Sequence, residues 1–290
     1  MDVRQPIVAG RFYPADRDEA LEAIETALAE PAAEASLPET IVAGLVPHAG
    51  WVFSGALAAL VFAAIKRRCE DVETFVVCGA AHAYLGVEPA LDDSAAWDGP
   101  LGKIEVDRAL GEKLLERGVV KLDPSAHRRE HSIEVQVPFI QRLFPGARIA
   151  PIVAPPRDSA LPLGEALGEI ASESAAPIVC IGSTDLTHYG PAYGFTPAGP
   201  GADGLNWAHA VNDAAFLERA LQVDPEGLLS QAIENGSACG PGAAATVIAA
   251  ARRQGVAAGR LLAQDNSRDI MQREMNTSSR DSVGYAAVVY

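Results

Sequence analysis

The chain has 290 residues, enough to bury a sizeable core in one large α/β domain. Hydrophobic residues make up 49% and charged residues 21%, a globular balance that excludes a fibrous or disordered chain. With 23 basic and 38 acidic residues the formal net charge is −15, a field that repels phosphate backbones and argues against nucleic-acid binding.

The opening Met1-Asp2-Val3-Arg4-Gln5-Pro6 has no apolar signal segment. No apolar run approaches the roughly 20 residues that cross a bilayer, so no membrane association is expected. Four cysteines stand far apart without a C-x-x-C pair, which argues against a disulfide framework. The expected location is the cytoplasm.

Residues Glu30 to Glu39, rich in Ala, Pro and Glu, predict a surface connection. Ile41–Val46 reads as a strand and Gly55–Arg68 as a helix whose closing Lys66-Arg67-Arg68 complements its dipole. Thr74–Cys78 reads as a strand and Arg108–Arg117 as a helix. Ser132–Leu143 reads as a second helix, with Ser132 as its cap and Glu134 supporting the first turn. Arg148–Val153 and Ile178–Ile181 are predicted strands, separated by a helix over Leu161–Ser174. Thr196 to Gly204 is crowded with glycine and proline, either a lid over a site or a plain surface loop. Asn206–Leu221, Pro225–Asn235 and Pro241–Arg253 read as helices, the last with proline where a missing N–H costs nothing. Leu261–Gln264 and Val283–Val289 close the chain as strands. Continuous apolar strands separated by helices predict a mostly parallel or mixed sheet covered on both faces. The expected fold is α/β, a three-layer α/β/α sandwich forming a single domain over residues 1–290.

Three short segments each set one metal-type ligand beside glycine: Pro47-His48-Ala49-Gly50, Gly79-Ala80-Ala81-His82 and Ala238-Cys239-Gly240. Pro47 ends a strand ladder and Gly50 permits a tight turn, which would hold the His48 imidazole at the carboxyl edge of the sheet. His82 repeats the arrangement after the next strand. Cys239 precedes a helix start, where the dipole stabilises a thiolate for metal ligation or nucleophilic attack. Cys78 and Cys180 lie inside strand runs and read as small buried hydrophobes, and Cys69 as a surface thiol.

Asp185 and His188 follow another strand. Their i,i+3 spacing would put carboxylate and imidazole on one side of a turn, suiting a general base, or would make Asp185 a cap with His188 in solvent. His131, in Glu130-His131-Ser132-Ile133-Glu134, either enters the site or closes a helix start. His127, His209, Arg128 and Arg129 read as surface residues. Two imidazoles with one thiolate suit iron, zinc or copper, and not magnesium or calcium.

The N-terminal Arg4-Gln5-Pro6-Ile7-Val8-Ala9-Gly10-Arg11-Phe12-Tyr13-Pro14 joins these segments, Phe53-Ser54-Gly55, Ser183-Thr184-Asp185-Leu186-Thr187-His188-Tyr189-Gly190 and Asp281-Ser282-Val283-Gly284-Tyr285-Ala286 in one order. Together they resemble the Memo-like family, also called AmmeMemoRadiSam system protein B, over essentially the whole chain. That family is similar in fold to class III extradiol dioxygenases, which are non-haem iron enzymes. The resemblance implies His48, His82 and Cys239 as metal ligands, with the cysteine where a dioxygenase carries glutamate. It implies His188 as the acid–base histidine, with Asp185 and His131 lining the pocket. Iron(II) is the implied metal, with copper and zinc as alternatives. Phe53 stands where many members carry tyrosine, and Ala81 where serine or asparagine is common. The family name implies association with a radical-SAM protein and with the system's protein A.

Three functions compete on these residues. One is a dioxygenase-like oxidoreductase acting on a small molecule. Another is a binding module that holds a peptide or phosphopeptide in the same pocket without turnover. The last is a hydrolase with Cys239 as nucleophile and His188 as base, which no G-x-S-x-G or H-E-x-x-H motif supports.

Overall fold

The computed structural model describes residues 2–29 and 37–290, so most of the predicted Glu30–Glu39 connection lies outside the described residues. The strands are β1 (Val3–Arg4), β2 (Ala43–Val46), β3 (Thr74–Gly79), β4 (Ala90–Leu91), β5 (Ala96–Trp97), β6 (Ile104–Glu105), β7 (Lys121–Leu122), β8 (Arg148–Val153), β9 (Ile178–Ser183), β10 (His188–Tyr189), β11 (Arg260–Asn266) and β12 (Ser282–Val289). The helices are α1 (Arg17–Ala27), α2 (Trp51–Arg68), α3 (Arg108–Glu116), α4 (Val137–Leu143), α5 (Ala160–Glu173), α6 (Ala202–Trp207), α7 (Ala214–Leu221), α8 (Pro225–Asn235), α9 (Pro241–Arg253) and α10 (Ser267–Met275).

The central sheet runs β10-β12-β2-β9-β3-β8-β4-β7, with β11 also on β12. Its middle, β2-β9-β3-β8, is parallel; β12 is antiparallel to β2, and β4 to β8. Side chains on a strand alternate between faces, and here both faces are apolar. Val76 and Cys78 of β3 join a core with α3, α5, α7, α8 and α9, while Phe75 and Val77 join a second core with α1, α2, α4 and α10. The expected α/β/α sandwich is therefore the observed one, around a mixed sheet.

Several boundaries differ from expectation. Helix α2 starts at Trp51 rather than Gly55, because Phe12 O accepts the Trp51 N–H and relieves the bare helix start that Gly50 does not cap. The predicted Ser132 helix begins as a short 3₁₀ turn over Glu134–Gln136, and α4 starts only at Val137, with Pro138 in its first turn. Ser132 caps nothing: its hydroxyl accepts from Ala80 N at 2.9 Å. The predicted Asn206–Leu221 helix is interrupted by a π-helical turn over Ala208–Asp213.

Candidate metal centre

Strands β2, β9 and β3 are parallel neighbours, so their carboxyl ends form one edge. His48 lies two residues past β2, Asp185 two past β9 and His82 three past β3. Helix α9 packs under the same strands and brings Cys239 up from its N-terminus. Gly240 allows that approach, since a Cβ there would stand 2.6 Å from Ser183 O. Asp185 N in turn donates to Cys239 Sγ at 3.3 Å, and Cys239 N to Asp185 O at 3.2 Å.

His48 is buried. Its Nδ1 lies 3.1 Å from Ser183 Oγ, and that hydroxyl gives its one proton to Ser132 O at 2.7 Å. The serine can only accept from the ring, so Nδ1 carries the proton. Nε2 then turns its lone pair to Cys239 Sγ, 3.1 Å away. His82 reaches the same state by another route. Glu130, buried, accepts His82 Nδ1–H at 3.1 Å and the backbone N–H groups of His82, His131 and Ser132. Burial pushes the Glu130 carboxyl up, but the hydrogen bond and charge of His82 outweigh it and hold it well below the usual range. Burial likewise presses His82 down, and Glu130 overrides it to raise the imidazole. A carboxylate behind an imidazole fixes the ring and strengthens its free nitrogen as a ligand.

The ligand atoms of His48, His82 and Cys239 all lie within 4.8 Å of one another, a grouping that could hold a metal ion. Two imidazole lone pairs and a thiol are the donor set of borderline metals, so the residues fit such an ion. Burial, reinforced by the Asp185 charge, holds the Cys239 thiol well above its ordinary value. Only a cation beside the sulfur would make it a thiolate here. Two further groupings of the same kind share these residues: His82 with Glu130 and His131, and Asp185 with His188 and Cys239.

His131 stacks on His82 with ring centroids 4.9 Å apart and stands edge-on to His48 at 5.5 Å. Burial first, then the neighbouring His48, lowers its pKa to about 4, so the ring is neutral at physiological pH. The structure brings Asp185 and His188 together. His188 sits in the short strand β10. Its Nε2 is 3.9 Å from Asp185 Oδ2, and the firm bond of Asp185 is from His48 N to Oδ1 at 2.7 Å. His188 Nε2 is buried and without a hydrogen-bond partner. Burial lowers the His188 imidazole, against the pull of Asp185. Burial raises the Asp185 carboxyl, against His188 and the His48 N–H. Phe12 meets the His131 ring at 4.8 Å and Tyr193 meets His188 at 5.0 Å, an aromatic flank on either side. A groove of about 1280 Å³ lined by Phe12, Trp51 and Phe53 lies beside this cluster and includes none of its ligand residues.

His127 is not the surface residue its sequence context suggests. It is buried, with Nε2–H donating to Ala90 O at 3.0 Å and the ring edge-on to Trp97. Arg128 and Arg129 are exposed as expected, whereas His209 is half-buried. Cys78 and Cys180 are buried in β3 and β9 as expected, and Cys69 is half-buried rather than a surface thiol. Two supporting carboxylates have roles that the sequence reading did not assign to them. Glu130 holds His82, and Glu134, rather than supporting a first turn, accepts from Ile7 N, Val8 N, Tyr13 O–H and Arg4. Their i,i+4 spacing before an apolar run was the available signal. It ties the N-terminal segment to the site, because Arg4 also donates to Glu130 O at 2.7 Å.

An α/β/α sandwich with histidines and a cysteine clustered at its parallel sheet edge is the class of protein these features define. Comparison with known proteins narrows it. The Memo-like protein family model matches residues 4–289, and the chain belongs to that family. Proteins named "MEMO1 family protein" align along nearly their full length. One from Thermococcus onnurineus is 40% identical, with 99% of both chains covered. One from Thermococcus kodakarensis is 39% identical, again with 99% of both covered. A Pyrococcus furiosus member is 36% identical over 99% of this chain and 98% of its own. Among solved structures, an uncharacterized protein of Escherichia coli K12 aligns over 84% of this chain and 99% of its own. Its TM-score is 0.48 at 15% identity, a likeness too distant to inform function. No helix among the described residues is long and apolar enough to cross a membrane.

Proposed function

We propose that this chain binds iron(II) on His48, His82 and Cys239 and acts as a cytoplasmic oxidoreductase on a small-molecule substrate. Copper and zinc suit the same donors. The observation that carries the reading is the paired tautomer: two imidazoles from separate strand ends each have Nδ1 tied back, which leaves Nε2 free, and both rings group with one sulfur. A bound iron would supply redox chemistry and polarise a substrate oxygen.

The chain's own residues have separate tasks. Ser183 and Glu130 fix the two rings. The deep position of His48 keeps water from one side, while His82 and His131 leave the other side open to a substrate. His188, neutral at physiological pH, can take a proton on its unpartnered Nε2. Asp185 Oδ2 stands 3.9 Å from that same nitrogen, and its charge would stabilise the imidazolium that forms. His131, also neutral, faces the opening as a hydrogen-bonding group. The hydrolase reading loses support, because the ring nitrogen at Cys239 Sγ belongs to His48 and not to His188.

Anaerobic iron titration with elemental analysis tests the reading on wild type, His48→Ala and Cys239→Ser. One equivalent in wild type and a deep loss in both variants is expected. Equal metal in all three would sink it. Iron-loaded protein that captures peptide yet consumes neither O₂ nor substrate would favour the binding module instead.

A further inference from the structure

The segment that carries His188 is gripped from outside the metal centre. Between α6 and α7 lies the π-helical turn Ala208–Asp213, a feature that recurs at functional sites. Its last two residues, Asn212 and Asp213, are both buried and both reach Thr187, the residue before His188. Asn212 Nδ2 donates to Thr187 Oγ1 at 3.0 Å and to Asn235 O at 3.2 Å. Asp213 Oδ1 accepts from Thr187 N at 2.9 Å. Gly284 N donates to Thr187 O at 3.1 Å, and Leu186 N donates to Gly284 O at 2.8 Å. Every polar group of Thr187 is thereby held. The fit is close: a Cβ on Gly284 would stand 2.1 Å from Asp213 Oδ2.

The His188 ring has no comparable anchor of its own. Its buried Nε2 has no hydrogen-bond partner, and its ring neighbour is the edge of Tyr193. The direction of the ring therefore follows from where Thr187 sets the backbone. We propose that Asn212 and Asp213 are positioning residues that aim His188 at Asp185 and the metal centre, acting through Thr187. The proposal rests on the reading of His188 as the proton-handling group. Its test is independent of metal and turnover.

Thr187→Val removes the hydroxyl with little change of shape and leaves Asn212 its bond to Asn235. Asn212→Ala removes the donor. Thr187→Ser and Asp213→Asn keep the bonding groups and serve as rescues. On metal-free protein well below its melting temperature, two quantities are read. One is the rate at which diethyl pyrocarbonate modifies His188, mapped by mass spectrometry. The other is the nuclear Overhauser contact between the rings of His188 and Tyr193. Thr187→Val and Asn212→Ala should modify several-fold faster and lose the ring contact, while both rescues match wild type. Wild-type rate and contact in Thr187→Val and Asn212→Ala, whatever their melting temperatures, would overturn the proposal and leave the turn a purely structural clamp. Mobilised His188 in a protein that binds no iron would uphold the positioning role of Asn212 and Asp213 and defeat the proposed function.

Discussion

His48 and His82 present the same nitrogen to the site for different physical reasons. At His48 a serine hydroxyl, its proton already committed to Ser132 O, accepts from Nδ1. At His82 an ionised carboxylate does so. The second bond carries charge and the first does not, so their removal should differ in size. Glu130→Gln keeps the shape and loses the charge. It should weaken metal binding about 10- to 100-fold, the usual effect of losing a partner behind a ligand. Ser183→Ala should weaken it less, because the His48 ring stays buried. Competition against a chelator of known affinity reads both. Unchanged affinity in Glu130→Gln would mean that His82 does not bind through Nε2.

Helix α9 is the element on which the sulfur depends. Gly240 and Gly242 both lie against backbone: a Cβ at the first would meet Ser183 O at 2.6 Å, and at the second Pro155 O at 2.2 Å. Either alanine should cost about 1–3 kcal/mol as the helix backs away from the sheet, read by urea denaturation. Only Gly240→Ala also moves the neighbouring Cys239, so only it should lower metal affinity. Equal affinities in the two variants would separate the sulfur from the helix start. The boundaries of α9 were legible because proline and a long alanine run mark them locally. That His48, His82 and Cys239 would gather into a grouping that could hold a metal was legible for a similar reason, each segment carrying glycine where a strand ends or a helix begins. What stayed hidden is decided by partners far away in sequence. Ser132 looks like a cap until Ala80 N claims its hydroxyl. His127 looks exposed until Ala90 O receives its ring. The helical period runs unbroken through Ala208–Asp213, and the wider turn goes with tertiary contacts, among them those to Thr187, Asn235 and Gly284. Two-residue strands such as β4 and β7 are too short to carry a period at all.

Across the whole molecule, buried ionisable groups set how stability answers to pH. Burial first, and then the neighbouring His82, lowers His48 to about 3; burial and then His48 lower His131 to about 4. The unfolded chain binds those protons near 6.5, so between about pH 4 and 6 unfolding takes up protons and stability rises with pH. Asp213 opposes this. Burial raises its carboxyl to about 7, against the Thr187 N–H, so the fold keeps a proton that the unfolded chain has released above about 4. Its contribution makes stability fall as pH rises through that interval. Asp185, also raised by burial, acts with Asp213, while His127 and His188, also lowered by burial, act with the two histidines. The four lowered imidazoles outnumber the two raised carboxyls, and in metal-free wild type the net slope should be positive from about pH 5 to 6. Asp213→Asn removes the opposing proton while an amide oxygen can still accept from Thr187 N. Its slope should be steeper than wild type by one proton, about 1.4 kcal/mol per pH unit. The net charge of −15 adds a repulsion that also grows with pH, but salt screens surface charge and leaves a buried carboxyl almost untouched. Urea denaturation of both proteins across this range, at low and high salt, separates the two effects. A slope difference that vanishes in high salt would assign the pH response to the surface and not to Asp213.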